Sequence, residues 1–358
     1  MQRINNLCNL LRQNDVDSAL ILSRNNRLYF SGFDSSDGAV LFTKNEVYFL
    51  VDFRYFEAAK KEVKNIKVIK MDKFSETLAK LTSDNCIKNI LIEQNFVTLS
   101  RFNLLKSIFA EAGVTVENSK LLDDTIDEMR LIKTEEEIAK IQTAQEISEF
   151  AFGEILKEIK VGISEKEIAA KLEYLIRKEG ASGSAFDLIV LSGKNTSLPH
   201  GVPSEKQVET GDFITIDMGA IYKGYKSDMT RTFAVGNITK EQKDVYNIVL
   251  NAQKNALAKI KPGLACNDLD KVARDVIERT KFKGTFGHSL GHGVGLNIHE
   301  APSISSNNRQ KLKEGMVLTI EPGIYLENNF GVRIEDLVVV TKNGRKNLAK
   351  VTKELLVF

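Results

Sequence analysis

All four histidines of the chain, His200, His288, His292 and His299, fall in its second half, and four of the five prolines, Pro199, Pro203, Pro302 and Pro322, lie close to them or beside Glu321. Structural histidines scatter; histidines gathered among Gly/Pro turns and acids read as a chemical site. Phe213-Ile214-Thr215-Ile216-Asp217-Met218 reads as a strand with one acid among apolar residues, and Lys223-Gly224 can turn the chain so that Tyr225 to Val235 returns as its partner. With a two-residue turn, Asp217 pairs with Thr230 and Asp228 lies two positions along on the same face. Diagonal neighbours of that kind sit roughly 7–8 Å apart, within reach of one cation. A three-residue turn would instead put the two acids on opposite faces.

Further acids follow. Val317 to Ile320 is an apolar strand ending in Glu321 at a Pro-Gly turn, and Gly331-Val332-Arg333-Ile334-Glu335 puts Arg333 and Glu335 on one face by alternation. Taken alone, that pair also reads as an exposed ion pair. If Glu335 is buried, it must be paired, protonated or bound to metal. In the segment from His288 to Glu300, glycines at 291, 293 and 295 argue against helix and permit close backbone approach. On a plain strand His292 and His299 face opposite ways, so joint service in one site requires a bend that spacing alone does not supply.

Asp217, Asp228, Glu321 and Glu335 with the imidazole of His292 carry more negative charge than one divalent ion neutralises. Two ions balance the set better. Such oxygen-rich ligation favours Mn²⁺, with Co²⁺ or Zn²⁺ as alternatives through the imidazole. Two ions about 3.5–4 Å apart lower the pKa of a water and stabilise a developing oxyanion, which is hydrolytic chemistry.

The elements that position these residues are expected in two domains, 1–125 and 126–358, since 358 residues exceed what one core usually serves. In the first, Ala19–Leu22, Ala39–Phe42, Val47–Val51 and Ile90–Ile92 read as strands, and Arg54–Lys64 and Arg101–Gly113 as helices, making an α/β domain. Leu121 to Lys133 reads as a junction. Capping boxes at Thr134/Glu137, Ser164/Glu167 and Thr239/Gln242 then open three helices. Ile159-Lys160-Val161-Gly162-Ile163 recurs in form as Ile260-Lys261-Pro262-Gly263-Leu264, each between two helical patterns. This hints at two similar α/β halves enclosing a site.

Composition excludes several classes. Lys plus Arg is 50 against 48 for Asp plus Glu, a net charge of +2, which argues against a dedicated nucleic-acid or membrane-surface binder. No run approaches ~18 apolar residues, so no membrane span is expected. Cys8, Cys86 and Cys266 are odd in number and far apart, and the N-terminus lacks a signal-peptide core, so a cytoplasmic location is expected.

The order Asp217, ten residues, Asp228, then His288-x-x-x-His292-Gly-Val-Gly-Leu-x-Ile-His299-Glu300, Glu321-Pro-Gly and Arg333-x-Glu335-Asp336 resembles the pita-bread metallopeptidases, in particular their Xaa-Pro aminopeptidase and prolidase branch. Tyr29–Phe33 and Asp52–Tyr55 resemble that branch's creatinase-like N-terminal domain. The methionine aminopeptidases share the ligand set, but usually carry a bulkier residue where this chain has Ser289. The resemblance implies an α+β fold with a catalytic domain of pseudo-twofold halves. It implies one metal on Asp217, a second on His292 and Glu321, and bridging by Asp228 and Glu335. Glu321 is expected as general base, His200 and His299 as substrate contacts, His288 near the substrate pocket, and Arg333 as support for Asp228 or its neighbours. Proline-containing peptides as substrates and a homodimer are implied as well. The Glu321–Tyr325 and Gly331–Asp336 segments lie nearest the aminopeptidases; a prolidase restricted to dipeptides and a metal-free adaptor are the alternatives.

Overall fold

In the computed structural model, which describes residues 2–358, the chain divides into two compact units, the first ending at Arg130 and the second running from Leu131 to Phe358. The first unit runs α1 (Gln2–Gln13), β1 (Ser18–Ile21), α2 (Arg24–Ser31), β2 (Ala39–Thr43), β3 (Val47–Val51), α3 (Phe53–Glu62), β4 (Lys67–Lys70), α4 (Phe74–Asp84), β5 (Asn89–Ile92), α5 (Leu99–Glu111), β6 (Thr115–Val116) and α6 (Leu121–Leu131). Its strands form one six-stranded mixed sheet in the order β4-β3-β2-β1-β5-β6. β1 and β2 are buried on both faces, which is why they read as unbroken apolar runs. Leu20, Leu41, Leu50 and Ile90 pack there against Leu78, Leu105 and Phe109. The expected strands are present. The edge strand β4 is half exposed and begins and ends in lysine, so hydrophobic patterning does not reveal it. The stretch expected as a junction is helical from Leu121 to Leu131.

The second unit continues with α7 (Glu135–Leu156), α8 (Glu165–Lys178), β7 (Gly183–Ser184), β8 (Ile189–Ser192), β9 (Phe213–Met218), β10 (Ala220–Tyr222), β11 (Tyr225–Lys226), β12 (Met229–Ala234), α9 (Lys240–Lys259) and α10 (Cys266–Glu278). It ends with β13 (Gly291–Gly293), β14 (Glu300–Ile304), β15 (Val317–Ile320), β16 (Gly323–Leu326), β17 (Phe330–Arg333), β18 (Asp336–Thr341) and β19 (Gly344–Asn347). All three capping boxes form as expected, at the starts of α7, α8 and α9.

The internal repeat is visible in hydrogen bonds. Gly162 at φ +92° donates to Val208 O at 2.9 Å, and Gly263 at φ +87° donates to Leu312 O at 2.8 Å. Both glycines sit in the left-handed region that a residue with a Cβ enters only at a cost. In return Val208 donates to Ile163 O and Leu312 to Leu264 O. Further along, Gly211 donates to Val235 O and Gly315 to Val340 O, and the sixth residue after each is Asp217 and Glu321 respectively. Two of the candidate ligands thus occupy matching positions of two matching halves.

The halves meet through polar pairs. Glu335 N–H donates to Thr230 O at 3.1 Å, and the Arg231 guanidinium meets Asp336 at 2.8 Å with both side chains almost wholly buried. Gln253 and Asn347 donate to the other Asp336 oxygen at 2.9 and 2.8 Å, and Lys353 donates there too. Burial alone would raise this carboxyl, but Arg231 and Lys353 hold it below its ordinary value. Replacing Asp336 with Ala leaves a buried guanidinium unpaired, so Asp336→Ala is expected to lose about 3–5 kcal/mol of stability. Urea unfolding followed by circular dichroism checks this; a shift worth under about 1 kcal/mol would contradict it.

Candidate metal centre

Each acid arrives at the end or in a break of a strand. β9 and β12 pair so that Asp217 faces Thr230, the register expected for a two-residue turn, and Lys223 and Gly224 form that turn at φ +48° and +83°. The return is not one continuous strand, however. It breaks between β11 and β12, and Asp228 sits in the break. Glu321 directly follows β15, and Glu335 lies between β17 and β18.

His292 is carried by β13, where close approach demands glycine. A Cβ on Gly291 would fall 2.0 Å from Thr319 O, and one on Gly293 would fall 2.2 Å from Ala301 O. The bend that spacing could not supply is a reversal over residues 294–299, after which β14 pairs back with Gly293 opposite Glu300. It brings the His292 and His299 rings edge to face with centroids 4.4 Å apart.

The donors converge. His292 Nε2 lies 3.6 Å from Asp228 Oδ2 and 3.4 Å from Glu321 Oε1, and ligand atoms of Asp228, His292 and Glu335 all lie within 4.8 Å of one another. His292 Nδ1 is 3.1 Å from Gly293 O, a contact that assigns the proton to Nδ1 and leaves the Nε2 lone pair facing the acids. Arg333 Nη2 binds Asp217 Oδ2 at 2.7 Å, so the guanidinium supports Asp217 rather than Asp228. The other Asp217 oxygen is buried without any partner.

Two threonines hold the ligands in place. Thr319 Oγ1 donates to Glu321 at 3.2 Å while accepting the His292 N–H at 3.0 Å. Thr230 Oγ1 donates to Glu335 at 2.6 Å while accepting from Arg333 Nε at 3.1 Å. Neither was singled out from sequence, although each lies two residues from an acid on an alternating strand, a readable signal. Tyr325 was also missed, and no sequence pattern marks it. Its hydroxyl joins Arg333 Nη1 at 3.0 Å to His288 Nε2 at 2.9 Å, which places His288 beside the centre rather than in it. His200 lies exposed in the loop after Pro199, whose carbonyl accepts from Arg333 Nη1 at 3.3 Å.

The electrostatics are those of acids short of cations. Burial raises the Asp228 carboxyl well above its ordinary value, and Glu335, Asp217 and Glu321 push it further against the pull of Arg333. Glu335 is raised likewise, by burial and then by Glu321 and Asp217. Burial takes Glu321 to about 8 despite Arg333, and pushes His292 down to about 4. Four carboxylates share one guanidinium, an orphaned carboxylate oxygen faces inward, and a neutral imidazole offers its lone pair. That donor set fits hard divalent cations.

The sequence profile of metallopeptidase family M24 matches residues 139–342, and that of the creatinase/prolidase N-terminal domain matches residues 3–132. The chain belongs to metallopeptidase family M24. This M24 chain is 42% identical over 356 residues to a Xaa-Pro dipeptidase from Pyrococcus furiosus, covering 99% of each. Among solved structures it is similar to a Xaa-Pro dipeptidase from Bacillus anthracis, with TM-score 0.95, 39% identity, and coverage of 100% of this chain and 99% of that one. It is also similar to an X-Pro aminopeptidase from Thermotoga maritima, with TM-score 0.91, 42% identity, and coverage of 98% and 100%. The M24 chain is therefore an enzyme whose family works with divalent metal, built as a creatinase-like domain followed by a pita-bread domain. Among the described residues, no helix is long and apolar enough to cross a membrane.

The shifted acids set a pH dependence for the metal-free M24 chain. With Glu321 raised to about 8, the folded chain holds this proton more tightly than the unfolded chain, so stability falls as pH rises through that value. His292 acts in the opposite sense, but its contribution is complete above its ordinary value of 6.5. Between pH 6.5 and 8 the chelated protein is expected to melt at steadily lower temperature, by roughly 2–4 °C per kcal/mol of linkage, with a shallower slope in Glu321→Gln. Differential scanning calorimetry checks it, and a flat or rising wild-type curve would contradict it.

Proposed function

We propose that this chain hydrolyses the peptide bond between an N-terminal residue and a following proline, using two divalent cations held by residues of its 126–358 domain. The observation that carries this reading is the convergence of buried Asp228 and Glu335 with half-buried His292, Glu321 lying 3.4 Å from the imidazole and Asp217 presenting an unpartnered oxygen. Four acids and one guanidinium leave a charge that a pair of divalent cations balances. Asp217 would hold one cation, His292 and Glu321 the other, and Asp228 and Glu335 would serve both. Mn²⁺ is the first choice for so many oxygens, with Co²⁺ or Zn²⁺ as alternatives through His292. Bound there, the cations supply Lewis-acid polarisation and a water of lowered pKa.

The chain's own side chains do the rest. Glu321, oriented by Thr319, takes a proton from the attacking water and returns it to the departing proline nitrogen. His299, stacked edge-on to His292, and His200 donate to the carbonyl oxygen as it gains charge. Arg333 fixes Asp217 through a charge-assisted bond and is itself held by Tyr325. Proline specificity is supported by near-full-length similarity to enzymes described as acting on Xaa-Pro.

Two substrate lengths fit. The Glu321–Tyr325 and Gly331–Asp336 segments favour the aminopeptidase reading, and the Pyrococcus and Bacillus relatives favour the dipeptidase reading. A cytoplasmic homodimer belongs to the same proposal, supported by three free cysteines and by the family resemblance.

Chelation is expected to abolish Xaa-Pro hydrolysis and Mn²⁺ or Co²⁺ to restore it; recovery with neither ion would defeat the metal assignment. Asp228→Ala and Glu335→Ala are each expected to lower kcat at least about a thousandfold, with a near-native circular dichroism spectrum. Turnover close to wild type in either variant would overturn the two-cation reading.

A further inference from the structure

Lys226 stands two residues before Asp228, and its ammonium makes no hydrogen bond or ion pair among the described residues, although the side chain is half-buried. Its neighbour Ser227 fixes which way it faces. Ser227 Oγ shares a 2.8 Å bond with Ser148 Oγ of α7 and accepts the Ala220 N–H at 2.9 Å, so Ser227 points away from the metal centre. In an extended segment alternate residues share a face, which puts Lys226 on the side of Asp228. The Lys226 N–H donates to Gly295 O at 2.9 Å, tying this position to the 294–299 reversal that carries His299.

The acids nearby are already engaged. Glu300 accepts from Lys133 Nζ at 3.2 Å, in a pair almost wholly buried, and from the Asn297 N–H at 2.9 Å. Asp228 belongs to the acid cluster that takes metal. Lys226 therefore borders the site on the side of Asp228, beside the reversal that carries His299. A partly desolvated cation without a dedicated counter-ion is a receptor for an anion.

We propose that Lys226 receives the free carboxylate of a substrate that ends at the proline. This rests on the Xaa-Pro reading above and narrows it, because only a dipeptide places a carboxylate directly after the scissile bond's proline. The proline ring then sits by His200 and His299, and its carboxylate pairs with the ammonium in a charge-assisted bond. A longer peptide presents a neutral amide at the same point and gains nothing there.

Kinetics on Mn²⁺-loaded wild-type, Lys226→Met and Lys226→Arg enzyme test this, with Met-Pro, Met-Pro-amide and Met-Pro-Gly side by side. Inhibition by L-proline against L-prolinamide supplies a binding readout free of turnover. In Lys226→Met the ratio of kcat/KM for Met-Pro over Met-Pro-amide is expected to fall about 10- to 100-fold, mostly through KM, with L-proline inhibition weakened alike. Lys226→Arg keeps most of the preference. An unchanged ratio, or equal losses on Met-Pro and Met-Pro-amide, overturns the role of Lys226 while wild-type activity leaves the Xaa-Pro reading standing. A wild-type enzyme inert on all three substrates removes both.

Discussion

Four carboxylates are held inside this fold against a single guanidinium, and the rest of the catalytic unit is arranged around that imbalance. Burial and mutual repulsion raise Asp228, Glu321 and Glu335 together, opposed by Arg333 and by the hydrogen bonds that Thr319 gives Glu321 and Thr230 gives Glu335. Such a cluster persists only because other parts of the fold hold it. Strand pairing fixes Asp217 and the strand that follows Asp228, Thr319 and Thr230 each bind one acid, and the Arg231–Asp336 pair joins the two halves. The strain of gathered like charges is the counterpart of affinity for cations.

The internal repeat explains how one chain builds such a site. Gly211 and Gly315 each lie two residues before equivalent strands, and the same six-residue step gives Asp217 in one half and Glu321 in the other. Where the halves meet, Thr230 and Glu335 touch through both backbone and side chain. Ligands far apart in sequence are thus near neighbours because each half contributes corresponding edges. β13 lies beside β15 as β8 lies beside β9, but β8 carries no ligand, so His292 is the asymmetric residue that makes this a mixed oxygen–nitrogen site.

Much of this was legible in the residues. The Lys223-Gly224 turn predicted the Asp217–Thr230 register, and the capping boxes marked the starts of α7, α8 and α9, because both are local rules. The 294–299 reversal was not legible. It depends on glycines packing against Thr319 and Ala301, contacts with residues that chain order keeps apart. The break at Asp228 was hidden because the surrounding residues pattern as one strand and the pairing keeps one register on both sides of it, Tyr222 facing Tyr225 and Asp217 facing Thr230. Arg333 was expected to support Asp228 or a neighbour, and only three-dimensional placement shows that its partner is Asp217. Tyr325 carries no sequence signal because its role is wholly tertiary.

The central claim is that these acids and one imidazole form a single centre for a pair of cations. Metal counting on the chelated protein re-equilibrated with Mn²⁺, by dialysis and elemental analysis, tests it most directly. Two tightly held ions per chain, falling to one or none when Asp217 and Glu321 are both replaced by Ala, is the predicted result. No saturable binding, or ions retained in full by that double variant, would contradict it.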